Sequence, residues 1–217
     1  MNDLVDQLTH DLKPVAPLKA LWLWAGAAVG LAAAATFVVM MLGMRVEMGM
    51  LVYGHRMPAN PTVLMKPALF LVSGLSAIWA VSGLVRPEGR LKLRYLLPVL
   101  AVMGIIVGNL MSELVRSGTA DIAEKLNGGV STCFMTILVG GLIGLAALWW
   151  LWLRKAATSY PVSLGAMSGL ATASLMAAAY ALHCNMDAPV YIFAVYGLAV
   201  AAFTGFAALL GGRMLRW

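Results

Sequence analysis

Charge is what this sequence has least of. Asp, Glu, Lys and Arg together supply 11% of the residues, against 62% that are apolar. A soluble domain cannot cover its surface with so few charges, so the balance excludes a water-soluble globule and points to a chain that crosses a membrane several times. Hydrophilic stretches long enough to bury a core of their own are also missing, which leaves no room for a separate soluble domain. Enzyme signatures are absent: the sequence holds no GxSxG elbow, HExxH pair, phosphate loop or dinucleotide fingerprint, and no catalytic residue is assigned. With only two cysteines and no CxxC, it lacks the usual means of a disulfide oxidoreductase. A basic n-region is missing too, because Asp3, Asp6 and Asp11 precede the first apolar run. The first span is therefore expected to remain in the mature protein.

What is present is a series of long apolar runs. Six of them reach the length that a helix needs to cross a hydrocarbon core, at about residues 20–42, 67–85, 95–115, 133–153, 162–182 and 190–212. The expected fold is all-α, polytopic, with six transmembrane helices in a domain over residues 20–217. If the N-terminus is cytoplasmic, Lys13, Lys19, Arg86, Arg90, Lys92, Arg94, Arg154, Lys155, Arg213 and Arg216 lie inside, and only Arg45, Arg56, Lys66, Arg116 and Lys125 lie outside. That asymmetry predicts both termini in the cytoplasm. It also accounts for the net charge of +6 as a record of topology, without a nucleic-acid partner. Small-xxx-small pairs at Gly26/Gly30, Gly140/Gly144 and Gly165/Gly169 predict close packing inside the bundle.

Ahead of the first span, residues 1–19 read as an amphipathic helix and a stiff hinge. Leu4, Leu8 and Leu12 recur every four residues with Val5 widening the stripe, Asp3, Asp6, Gln7 and Asp11 occupy the other side, and Pro14 and Pro17 end the helix. An acidic polar face repels anionic lipid, which favours a protein partner for this element.

The stretch His183-Cys184-Asn185-Met186-Asp187-Ala188-Pro189 interrupts the last two apolar runs and carries one of the two cysteines. Cys133, at the start of the fourth span, falls on the same outer side. Two thiols in neighbouring hairpins are in a position to form a disulfide in an oxidising compartment, or to respond to redox or metal state. Cys133, His183, Cys184 and Met186 are soft donors suited to Cu(I) or Zn, although their spacing is not that of an established metal motif. The first outer loop adds Met44, Met48, Met50, His55 and Met57, which more often serve as flexible packing. Local rules explain the remaining polar residues: Asp187 as a cap ahead of Pro189, Glu113 as a partner for Arg116 at i+3, and Asn109 as glue between helices.

These pieces resemble the NrsF-like family, the negative regulators of sigma-F, which are integral-membrane anti-sigma factors. The resemblance rests on Leu4…Leu8…Asp11-Leu12-Lys13-Pro14-Val15 at the start, on the HC-x-x-D-x-P pattern of His183–Pro189, and on Gly211-Gly212-Arg213-Met214-Leu215-Arg216-Trp217 at the end. Cys133 stands where the family has its other cysteine. The chain departs from the family pattern at Val195-Tyr196-Gly197, where an aromatic or Trp-His pair is usual.

The resemblance implies a non-enzymatic protein of the bacterial inner membrane that holds an extracytoplasmic-function (ECF) sigma factor and releases it under stress. Leu4, Val5, Leu8, Asp11 and Leu12 would contact the sigma factor. Cys133 and Cys184, with His183, Met186 and Asp187 around them, would sense a periplasmic redox or heavy-metal signal. No cofactor is required; Cu(I) or Zn would act as a signal. The alternative is a small metal or ion transporter using the Met/Cys/His outer site. It is disfavoured because charged residues are expected to be absent from mid-membrane.

Overall fold

The computed structural model describes residues 20–54, 57–58, 60–86, 88–118, 122–126 and 129–215. Residues 1–19, with the proposed partner helix Leu4, Val5, Leu8, Asp11 and Leu12, lie outside the described residues, as do His55, Arg56, Arg216 and Trp217. Among the described residues the chain is helical and has no strand.

Among the described residues, six helices are long and apolar enough to cross a membrane. They are α1 (Ala20–Leu42), α3 (Thr62–Leu84), α4 (Leu93–Ser117), α6 (Val130–Leu151), α7 (Pro161–Tyr180) and α8 (Pro189–Met214). Two short helices lie in connections: α2 (Val46–Gly54) between α1 and α3, and α5 (Ile122–Leu126) between α4 and α6. The first span matches the expected 20–42, and the other five agree to within five residues. The largest shift is instructive. The expected span starts at Pro67, yet α3 begins at Thr62 and carries Pro67 in its interior. Lys66, assigned by sequence to a loop, therefore sits on the helix and is fully buried.

Helix α7 is the axis of the bundle. It is apolar around most of its circumference and rich in Gly, Ala and Ser, and 15 of its 20 residues are buried. It packs against α8, α3, α6 and α1. Its closest approach is to α8, where a Cβ on Gly165 would lie 2.8 Å from the Gly211 Cα and one on Gly211 would lie 2.7 Å from the Gly165 Cα. Only glycine permits that separation, the use of small residues expected where lipid offers no hydrophobic drive for association. Gly140, Gly144 and Gly169 are likewise packed closely against neighbouring helices, whereas Gly26 and Gly30 of α1 face open space.

Helix α1 is the least embedded span, with only Leu23 and Val38 buried. Leu21, Trp22, Val29, Phe37 and Met40 project from it, and Ile143, Leu209 and Leu100 project from other helices. Apolar exposure this extensive suits acyl chains and would be an aggregation liability in water. The helices alternate in direction, so the connections divide between two ends. Residues 43–54, Pro61, Gly118, Ile122–Leu126, Gly129 and the 181–188 connection lie at one end. Residues 85–86, 88–92 and 152–160 lie at the other, with Arg86, Lys92, Arg154 and Lys155, and Arg213 of the last turn of α8.

Candidate functional site: a buried cysteine pair beside a charge cluster

The 181–188 connection is folded into the end of the bundle. Backbone N–H groups of Ala181, Leu182, His183 and Cys184 donate to carbonyls in the last turn of α7, so the chain leaves the helix without spare donors there. This winding turns the Cys184 side chain inward. Cys133, in the first turn of α6, faces it. Both are buried free thiols, and their Sγ atoms are 4.0 Å apart. A disulfide requires about 2.05 Å, so the two thiols are in contact and not bonded.

Tyrosines enclose the pair. The Tyr191 hydroxyl donates to Cys133 Sγ at 3.0 Å, and the Tyr180 hydroxyl lies 3.3 Å from the same sulfur. Tyr196 stacks at a tilt on Phe70, with ring centroids 5.4 Å apart. Tyr191 and Tyr196 are both brought inward by the start of α8, whose segment Ile192–Gly197 is wound as a π-helix. Such widened turns change which side chains face the core, and they recur at functional sites.

A charge cluster lies directly behind Cys184. Lys66 is fully buried and spends its three N–H donors on three acceptors of the corner: the Cys184 carbonyl at 2.8 Å, the Met186 carbonyl at 3.0 Å and Asp187 Oδ1 at 3.0 Å. Its ammonium also sits 5.2 Å from the centroid of the Tyr196 ring. Arg45 forks onto the same carboxylate, with Nη1 to Asp187 Oδ1 at 3.0 Å and Nη2 to Oδ2 at 2.7 Å. Nη1 also donates to the Cys184 carbonyl at 3.1 Å, and Nε to Glu47 Oε2 at 3.3 Å. The bidentate geometry is the strong form of this contact.

Burial pushes the Asp187 carboxyl up, but the hydrogen bond from Arg45 and the charge of Lys66 outweigh it and hold the group below its usual value. The Cys184 thiol is also held below its ordinary value. A hydrogen bond from Cys133 contributes most, and the charge of Lys66 and the Met186 N–H assist against burial. The Lys66 ammonium held behind Cys184 favours its thiolate, the form that attacks oxidants and binds soft metals.

Asp187 does not cap the helix that follows it, because both its oxygens are taken by Arg45 and Lys66. No capping bond forms at the start of α8 from its flanking residue; the Val190 N–H is instead met by Glu113 Oε2 of α4 at 2.7 Å. Glu113 does not depend on Arg116 for its partner, since its other oxygen pairs with Lys125 of α5 at 3.0 Å. Sequence rules that look three or four residues along one helix miss both arrangements. Arg45 and Lys66 were missed as site residues for the same reason. The one available hint was a buried-length apolar run beginning next to a lysine.

His183 and Met186 neighbour Cys184 in the same connection. His183 Nδ1 is 3.0 Å from the Gly43 carbonyl, and Met186 contributes its carbonyl to Lys66. Among the described residues, no three of His, Cys, Asp and Glu gather as a metal-binding group. Asn109 lines a small cavity of about 90 Å³ with Thr62, Met65, Leu69, Ile106, Pro189 and Ile192.

Comparison with known proteins adds two matches. A family described as NrsF, negative regulator of sigma F, matches residues 8–217. The anti-sigma-F factor NrsF of Caulobacter vibrioides is 29% identical over 221 residues, an alignment spanning 100% of this chain and 99% of that protein. No solved structure matches significantly.

Proposed function

The chain belongs to the family of negative regulators of sigma F, and from that premise we propose that it is a multi-pass anti-sigma factor of the bacterial inner membrane. It holds a sigma factor of the extracytoplasmic-function class at the cytoplasmic face and releases it when the Cys133–Cys184 pair is modified. Both termini are cytoplasmic in this reading, which puts the Arg- and Lys-rich connections inside and the cysteine corner in the periplasm. Residues 1–19 contact the sigma factor: Leu4, Val5, Leu8 and Leu12 pack against it, and Asp3, Asp6 and Asp11 meet its basic surface.

The observation that carries the input side is the approach of two buried thiols to 4.0 Å with a cation held behind one of them. The Cys184 thiolate attacks a thiol oxidant and forms a covalent adduct. Cys133 then displaces the reduced oxidant, and the pair gives up two protons and two electrons to become a disulfide. A soft metal ion would draw on the same thiolate chemistry, so oxidant and metal are separate arms of one test.

Co-purification of the sigma factor with the detergent-solubilised chain tests the output side. Replacing Leu4 and Leu8 by Glu is expected to abolish it; retention of the sigma factor by that variant would remove residues 1–19 from the interface. Reporter induction by diamide but not by Cu(I) or Zn assigns the signal to oxidation, and the reverse pattern assigns it to metal.

A further inference from the structure

A periplasmic signal read by Cys133 and Cys184 has to move something that reaches the other face of the membrane. Residues 43–45 join the two. Helix α1 ends at Leu42 because Gly43 follows with φ of 86°, a left-handed conformation that terminates helices, and its N–H closes onto the Val39 carbonyl. The next residues are bolted to the cysteine corner. The Gly43 carbonyl meets His183 Nδ1 at 3.0 Å, and the Arg45 N–H donates to the Leu182 carbonyl at 3.0 Å. The Arg45 side chain takes the Cys184 carbonyl at 3.1 Å and both Asp187 oxygens. Every residue from Leu182 to Cys184, and Asp187, is tied to the end of one helix.

The shaft of that helix is free by comparison. Helix α1 buries only Leu23 and Val38, while α3, which supplies Lys66 to the same corner, buries residues along its whole length from Val63 to Leu84. A displacement of the corner meets a fixed anchor at Lys66 and a loosely seated one at Arg45. We propose that α1 is the transmembrane coupling rod, with Arg45 as the positioning residue that latches it to the Cys184 corner. This rests on the anti-sigma reading above, in which the other end of α1 runs directly into the sigma-contacting residues 1–19.

Disulfide formation draws the Cys184 sulfur about 2 Å toward Cys133, with a thiol oxidant taking two electrons and two protons from the pair. The Cys184 carbonyl is shared between Arg45 and Lys66 and moves with it. Lys66 is fully buried in a packed helix and holds its acceptors, so the contacts that yield are those of Arg45. Once they part, α1 is no longer fixed at its periplasmic end and slides or tilts in the bilayer. Shifts of this kind run from about 1–2 Å to one helical turn.

The test uses the full-length chain in lipid nanodiscs with its native cysteines, carrying spin labels on noncanonical residues at Val29 of α1 and Val72 of α3, both exposed to lipid. Pulsed EPR distance and sigma-factor retention are read before and after diamide, and in R45Q without oxidant. The expected result is a distance change of roughly 2 Å or more together with loss of sigma factor under diamide. R45Q is expected to show the shifted distance and lost sigma factor with both thiols still free. R45K keeps the charge beside Asp187 but loses the fork, and reads between wild type and R45Q; it decides the matter if R45Q is not recovered from the membrane. Release by diamide at an unchanged distance overturns the coupling rod and leaves the anti-sigma reading intact, as does an Arg45 variant with wild-type distance and retention. Diamide without effect on either readout removes the redox input, and the Arg45 variants still decide whether α1 is the rod.

Discussion

Replacing Asp187 by Ala removes the one carboxylate shared by two buried cations. Side-chain exposure is 12% for Asp187, 3% for Arg45 and 0% for Lys66, so water cannot take its place. Lys66 would keep two carbonyl partners but lose its counter-charge, and Arg45 would keep the Cys184 carbonyl and Glu47. Breaking a buried pair from one side costs about 3–5 kcal/mol, because the remaining charge stays buried. Glu47, whose side chain is 45% exposed where it meets Arg45, supplies the contrast: its removal costs under about 1 kcal/mol, as for other surface ion pairs. Asp187→Asn keeps the shape and part of the hydrogen bonding and falls between them, at about 1–3 kcal/mol. Equilibrium unfolding of the purified chain in mixed SDS micelles measures all three. The order D187A, D187N, E47A from most to least destabilised is expected. A D187A protein within about 1 kcal/mol of wild type would refute the reasoning, since it would mean that the cluster is not held by this carboxylate.

Further consequences concern pH, capping and packing. Asp187 titrates lower in the folded than in the unfolded chain, so its contribution is complete above the ordinary carboxylate value of about 4 and is lost as pH falls through the folded value; D187N should flatten that acid limb of the unfolding profile. Glu113→Ala deprives the Val190 N–H and Lys125 of their shared partner and should cost about 0.5–2 kcal/mol by the same unfolding assay. Gly211→Val places a branched side chain against the Gly165 backbone and should cost about 1–3 kcal/mol or more, seen as early loss of the folded peak on heating and gel filtration, whereas Gly26→Val, facing open space, should leave that peak unchanged.

Much of this architecture is legible in the sequence because the bilayer imposes it. A run of about 20 apolar residues has one economical structure in hydrocarbon, and the six spans follow from that with boundary errors of a few residues. The placement of Cys133 and Cys184 at one end follows from counting crossings. Their approach to 4.0 Å does not, since it depends on the turn over residues 181–184 and on the π-wound start of α8. The charge cluster was hidden for a different reason. Asp187 lies 142 residues from Arg45, and Glu113 lies 77 residues from the N–H it caps, so local capping and i, i+3 rules propose nearer partners. The apolar run begins just after Lys66, which hides that residue's place on the helix. The glycine pairs show the same limit: three identical spacings, of which Gly165/Gly169 and Gly140/Gly144 pack and Gly26/Gly30 does not, because spacing identifies a smooth face and not what meets it.

The departure at Val195-Tyr196-Gly197 keeps an aromatic ring at the corner. Tyr196 presents its ring to the Lys66 ammonium, and any aromatic side chain there would offer the cation a similar face. The corner holds a free thiol pair, a carboxylate and two cations.

The most direct test follows free thiols and sigma-factor retention in the same membranes during titration with diamide. The account predicts that the sigma factor leaves in step with the loss of both thiols of Cys133 and Cys184, returns when a reductant restores them, and stays bound throughout in C184S. Retention of the sigma factor after both thiols are consumed, or its release from C184S at the same oxidant concentration, would contradict it.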